Sequence, residues 1–384
     1  MAAAATEITI CRSTRRNLRY ILLWPNINEE LEPSNSYTGK IVTYVLITAA
    51  FPLCVLIHVI TTKTRNIDVP VVDNISALAS LTGTYYMSFI YTKNQSKVAR
   101  LLKEMSNFEN FGKPPNFDQK EQVLNFFSTF FFLYLSVGIV QYDLLKFKGK
   151  AECEERNKNQ DLTENCGFIT PLWTPFSTQN VFVYYSFHVY IVFCAQLLMK
   201  PNMLITYNEF EITQHLVLRI KHLNQMICEA IDNTQFEISQ SRLTNCILYH
   251  VDIIRMAKAL DECFSNAMFT HTCITAIICA CIEKQFVEGD RLCAILHFSG
   301  WILTLTFACC SGQILINASE SISESIWSSK WYEVDVRLQK DILFMLRRSQ
   351  TIFFLTAGPF SSLSFPLLVS AVKMSYSLLC LLTY

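Results

Sequence analysis

The chain has 384 residues, 51% of them hydrophobic and only 17% charged, with 28 phenylalanines, a mixture that excludes an ordinary soluble multi-domain protein. Its formal net charge is zero, which argues against a nucleic-acid partner. No G-x-G-x-x-G, Walker, H-E-x-x-H or G-x-S-x-G motif occurs, so no enzyme class and no cofactor are advertised.

Residues 1–40 read as a cytoplasmic N-terminal segment carrying Arg12, Arg15, Arg16 and Arg19, with Ile21 to Pro25 as a short interfacial stretch. The opening residues lack the short apolar core and cleavage site of a secretory leader, so the first membrane helix is expected to act as an uncleaved insertion signal. That helix is Ile41 to Ile60, bent at Pro52, and the second is Val71 to Tyr91, with Asp73 at its mouth and Ser80 and Gly83 inside. A polar connector over 92–121 leads to the third, Gln122 to Tyr142, which is dense in phenylalanine. Residues 143–177 form a charged outer loop, and Thr178 to Met199 is the fourth span, ended by Lys200-Pro201. Transmembrane helices one to four thus occupy 41–201.

Residues 202–264 form a long connector whose Leu216, Leu218, Ile220, Leu223, Ile227 and later Leu243, Ile247, Val251, Ile254 repeat at helical intervals. The fifth span, about Ser265 to Ile282, and the sixth, Leu292 to Ile314, lie within 265–314. In 315–357 the stretch Trp331 to Arg347 places Trp331, Val334, Leu338, Ile342 and Met345 on one face, an amphipathic helix. The last span falls in 358–384, holds Lys373 as its one charge, and is dotted with serines. The fold class is therefore an all-α membrane protein of seven transmembrane helices. Loops that would share the N-terminal side carry 22 Lys and Arg against 9 in the others, so the N-terminus is expected in the cytoplasm and Tyr384 outside.

Most of the 15 cysteines sit in apolar stretches, where they act as small hydrophobes. Cys153 and Cys166 share the outer loop and are a candidate disulfide; the other thiols are expected reduced. His188, His271 and His297 lie on different spans without ligand spacing, so no metal is expected. Asn74, Asn94 and Asn317 head glycosylation sequons; in this orientation no glycan is expected on Asn94 or Asn317.

The carboxyl-terminal region carries Trp331, then Arg348-Ser349-Gln350, then Thr356-Ala357-Gly358-Pro359-Phe360, then Ser375-Tyr376-Ser377. In that order, and close to the end of the chain, these features resemble the insect odorant receptors. The resemblance in motif covers about the last fifty residues. It implies a ligand-gated, non-selective cation channel, assembled as a heterotetramer with the odorant receptor co-receptor in the plasma membrane of olfactory sensory neurons. Membrane lipid and permeating cations would be its further partners. The fourth-to-fifth connector is shorter than a co-receptor's, which implies a ligand-tuning subunit; 315–357 would then be a cytoplasmic anchor and the last helix would line the pore.

The pore-lining residues implied are Leu379, Leu382 and Thr383. At about 100° per residue Lys373 lies some 120° from Leu379 and 180° from Leu382, pointing away from such a pore. A central ammonium costs about 2.5–3.5 kcal/mol unless it faces protein or water. The resemblance also implies a pocket for a volatile organic small molecule in the outer half of the bundle. Facing positions at that depth are Ser80 and Leu81; Leu135, Gly138 and Tyr142; Tyr184, Phe187 and His188; and His297, Phe298 and Trp301. A gustatory receptor shares the fold and gating, but Ser375-Tyr376 and Leu382-Thr383 stand where its usual closing motifs would be. A G-protein-coupled receptor lacks support, since no Asn-Pro-x-x-Tyr occurs in the last span, and a transporter would need internal repeats that are not found.

Overall fold

A computed structural model describes residues 8–64, 71–160, 164–231, 236–289, 291–359 and 361–383. Eleven α-helices follow one another among them: α1 (Arg12–Tyr20), α2 (Asn35–Thr48), α3 (Ala50–Thr64), α4 (Val71–Met105), α5 (Phe117–Lys148), α6 (Lys150–Gln160), α7 (Val181–Ile231), α8 (Phe236–Glu288), α9 (Arg291–Ser328), α10 (Val336–Ser349) and α11 (Phe365–Thr383). Five helical stretches among the described residues are long and apolar enough to cross a membrane: 35–61, 117–159, 181–231, 236–287 and 291–328. Phe365–Leu381 is apolar but shorter.

The second expected span lies in α4, which is not among those five because serines and threonines dilute it. Ser76, Ser80, Thr84 and Ser88 are buried. Ser80, Thr84 and Ser88 each donate to the carbonyl four residues earlier, at 2.7, 2.8 and 2.8 Å, so this polar face brings most of its own acceptors. Its Gly83 lets α8 come close, since a Cβ there would meet Ile274 Cδ1 at 2.1 Å. The first span is divided at Ala49, three residues before Pro52, which sits in the first turn of α3 where a missing N–H is tolerated.

Three sequence readings are corrected. Lys200-Pro201 does not end a helix: α7 runs through Pro201 to Ile231, and Pro201, Leu197 and Leu198 are buried among neighbouring helices that hold the turn. Most of 92–121 is likewise helix, the end of α4 and the start of α5, while the described residues of 202–264 are helical as their repeat predicts, completing α7 and opening α8. The amphipathic segment starts at Val336, not Trp331, because Asp335 caps it by accepting from the Arg337 N–H at 2.8 Å, while Trp331–Glu333 is a 3-10 turn.

The stretch Ile21–Pro25, read as interfacial, packs inward on the protein. Ile21, Leu23 and Trp24 are fully buried against the bundle, held by a polar clasp. Glu30 receives Arg15 Nη1 at 2.7 and 2.6 Å, Trp24 Nε1 at 3.0 Å, and Arg19 Nη2. Two of the four arginines, Arg15 and Arg19, therefore fold inward onto one carboxylate, while Arg12 and Arg16 stay exposed.

At the other end, Thr356–Ala357 pairs antiparallel with Ser361–Ser362, a hairpin that turns the chain into α11. Asp261 of α8 accepts from the Thr356 amide at 2.6 Å and its hydroxyl at 2.8 Å. The Gly358 amide (φ +65°) donates to Ser265 Oγ at 3.2 Å. Beneath it, Gly312 of α9 lies against the Leu363 backbone. Farther along α11, Ser375 Oγ donates to Glu283 Oε1 of α8 at 2.9 Å.

Candidate functional site

Between α3, α4, α5, α7, α8 and α9 lies a cavity of about 560 Å³, within the range of small-molecule sites. Phe51, Ala77, Leu81, Ile139, Ala195, Met199 and Met203 give it apolar walls. Ser76, Ser80, Asn202, Gln285 and Thr304 add scattered polar groups, and Lys146 is the charged residue on its lining. Ile169, Thr170 and Pro171 close one end from the outer loop.

The wall on α9 is fixed by its own hydrogen bond. Trp301 Nε1 donates to His297 Nε2, one turn earlier, at 3.0 Å, which leaves the imidazole proton on Nδ1. The indole also stacks on His271 of α8, with centroids 6.0 Å apart, and Tyr142 of α5 faces His297 at 5.6 Å. Three helices therefore hold one aromatic panel rigid.

Of the residues expected at a pocket, Ser80, Leu81, Leu135, Gly138, Tyr142, His297 and Trp301 line this cavity. Tyr184, Phe187, His188 and Phe298 do not. The first three close around Phe168, with ring centroids 5.1, 5.7 and 5.5 Å from it. His188 Nε2 lies 3.0 Å from Asp143 Oδ2. Their aromatic character serves to seat the outer loop, because Phe168 is brought to them by that loop. Phe298 packs instead on Ile278 and Cys279 and faces a narrow crevice beside Ala371 and Ser375 of α11. Phe51, Met199, Asn202, Gln285 and the loop residues Ile169 to Pro171 fall outside the sequence expectation; no periodicity marks a loop residue that folds back over a cavity.

Cys153 and Cys166 are joined, with Cα atoms 5.7 Å apart. The bond ties α6 to the loop, and Tyr184 Oη donates to the Cys166 carbonyl at 3.1 Å. Cys166→Ser is expected to cost about 3 kcal/mol of stability for a loop of this size. A thermal unfolding scan of purified protein should show a lowered midpoint that no longer responds to reductant.

On α11, Lys373 is exposed and Leu379 half-buried. The side chains of Leu382 and Thr383 lie outside the described part of the structure, as do Phe360 and Tyr384. Among the described residues, no group of three or more His, Cys, Asp or Glu could hold a metal ion.

The family model described as 7tm Odorant receptor matches residues 69–376. Odorant receptor 85b of Drosophila melanogaster is 24% identical over 144 residues, 36% of this chain and 37% of that receptor. Odorant receptor 67a of the same fly is 26% identical over 143 residues, 36% of this chain and 35% of that one. The chain thus aligns with well under two thirds of the length of these curated relatives. The insect olfactory receptor OR5 from Machilis hrabei, solved in complex with eugenol, is similar in fold with a TM-score of 0.76. That match covers 97% of this chain and 98% of that one at 14% identity.

Proposed function

The chain belongs to the 7tm odorant receptor family, a family of multi-pass membrane receptors and not of enzymes, and from that premise we propose that it is a ligand-tuning subunit whose cavity takes a small uncharged volatile. The subunit would open a non-selective cation channel directly, in a heterotetramer with the odorant receptor co-receptor, in the plasma membrane of olfactory sensory neurons. Its α11 would contribute Leu379, Leu382 and Thr383 to the shared pore, with the N-terminus cytoplasmic and the C-terminus outside.

One observation carries this reading: the cavity of about 560 Å³, apolar on most of its wall, with the Trp301–His297 pair fixed at its edge. Apolar area removed from water is worth about 25 cal/mol per Å², so such walls alone hold a molecule of volatile size, and the few polar groups orient it. For gating, the ligand must favour the open arrangement, because equal affinity for both states shifts nothing.

The test is co-expression with the family co-receptor and voltage-clamp recording across a panel of volatiles. A ligand-dependent current is expected. Trp301→Ala should raise the half-maximal concentration on the order of tenfold, the loss of about 1.4 kcal/mol of contact, with surface delivery intact. Absence of current for every volatile, with the chain labelled at the surface, would refute the channel reading.

A further inference from the structure

We propose that the ligand enters the cavity sideways from the bilayer, through an opening between α5 and α9 that the Tyr134–Ser299 hydrogen bond spans; the inference rests on the odorant-site reading of the cavity. On α5, Phe130, Tyr134, Val137 and Gln141 recur at i, i+4, i+7 and i+11, a single stripe along the helix. All four line the cavity. All four are also exposed on the outside of the molecule, Phe130 by 49%, Tyr134 by 37% and Val137 by 55%. Along this stripe the wall of the chamber is a single side chain thick, so it is the thinnest barrier between cavity and surroundings.

The two helices leave room at that place. Gly138 on α5 and Gly300 on α9 both line the cavity, and a Cβ added to either would meet nothing within 4 Å. Across the gap Ser299 Oγ donates to the Leu296 carbonyl at 2.8 Å, so Tyr134 Oη, 3.1 Å away, is the donor to it. One hydrogen bond between exposed groups is a latch that opens at small cost.

The end under the outer loop is more firmly held: its lining residues Ile169, Thr170 and Pro171 are half-buried, and the chain on either side of them is pinned. Phe168 and Leu172 are buried, and Asn165 Nδ2 donates to the Leu172 carbonyl at 3.1 Å. The Trp173 amide donates to the Cys54 carbonyl at 3.1 Å, and the Cys153–Cys166 bond anchors the segment. Passage there would require several buried contacts to break together. Of the five apolar helical stretches among the described residues, the one containing α5 is the least covered by protein, which suits an entrance on the lipid side. An apolar volatile concentrates in that phase, by about fourfold for each added methylene.

The test measures onset and washout rates of the current evoked by a panel of 1-alkanols, their acetate esters and eugenol, with the co-receptor present. An obstacle in an access path scales entry and exit alike and leaves the dissociation constant unchanged, whereas a reshaped cavity moves the constant. Ser299 is at the rim and is not a lining residue. Ser299→Phe is expected to slow onset and washout together, on the order of tenfold, with the half-maximal concentration within about twofold of the wild type. Ser299→Ala, a mild change that removes the latch, should speed both. Unchanged rates in both variants overturn the side entrance, as does slowing produced instead by Ile169→Trp at the loop-covered end. Silence of the wild type to the whole panel, with the chain at the surface, overturns the receptor reading and this inference with it.

Discussion

Gly312→Val is expected to abolish ligand-evoked current and most surface delivery. A Cβ at this position, even without further atoms, would lie 2.1 Å from the Leu363 carbonyl oxygen, 2.6 Å from Leu363 Cβ and 2.7 Å from its carbonyl carbon. Two of those atoms are backbone, so no side-chain rotation relieves the clash. Either α9 or the segment entering α11 must move. Leu363 is itself tied down, its amide donating to the Leu355 carbonyl at 2.8 Å across the hairpin. Next to Gly312, Ser311 donates to the buried Glu209 at 2.7 and 2.8 Å, so backing α9 away would also strand a carboxyl group. A cost of roughly 4 kcal/mol or more follows, at the upper end of single substitutions. Surface biotinylation and current amplitude measure it. Gly39→Ala, on the exposed face of α2 with open space around it, is the control and should leave current and surface delivery at the wild-type level. Equal behaviour of the two variants would mean that α9 and the approach to α11 do not need their close contact.

The second large effect is expected at the amino-terminal clasp. In Glu30→Ala, Arg15 keeps only its bonds from Nη2 to the Ile8 carbonyl at 2.8 Å and from Nε to the Ile10 carbonyl at 3.2 Å. The Trp24 indole N–H loses its acceptor. Arg15 and Glu30 are each 5% exposed, so water does not replace what is removed. Breaking a buried pair by deleting one partner costs about 3–5 kcal/mol. Thermal unfolding of the purified chain should show a large drop in midpoint, with Glu30→Gln between it and the wild type because the amide still accepts hydrogen bonds. Adding Arg15→Met and Arg19→Met to Glu30→Ala should recover part of the loss, since the charges left unpaired go with them.

Those two positions illustrate what a sequence conveys here. The apolar runs and the amphipathic repeat of α10 are legible because burial against lipid or against one neighbour leaves a periodic trace. The clasp is not: Arg12, Arg15, Arg16 and Arg19 look like a solvated basic face, and the carboxylate that draws two of them inward stands eleven and fifteen residues later. Pro201 reads locally as a helix end, yet buried neighbours on α7 outweigh its missing hydrogen bond. Leu135, Gly138, Tyr142, His297 and Trp301 share a face and a depth, and they stand on the cavity wall. Tyr184, Phe187 and His188 carry the same aromatic signal, but the loop that delivers Phe168 to them is placed by long-range packing that no spacing reveals.

The bond from Ser375 to Glu283 has a mechanical consequence. Gln285, two residues further along α8, touches the cavity. Two residues rotate a helix by about 200°, so the chamber and α11 press on opposite flanks of the same turn. If the cavity takes a guest as proposed, that turn would act as a short see-saw: pressure on one side would load the fastening on the other without a relay of intervening side chains. The bulk of the guest, more than the pattern of its functional groups, would then be what the far side feels.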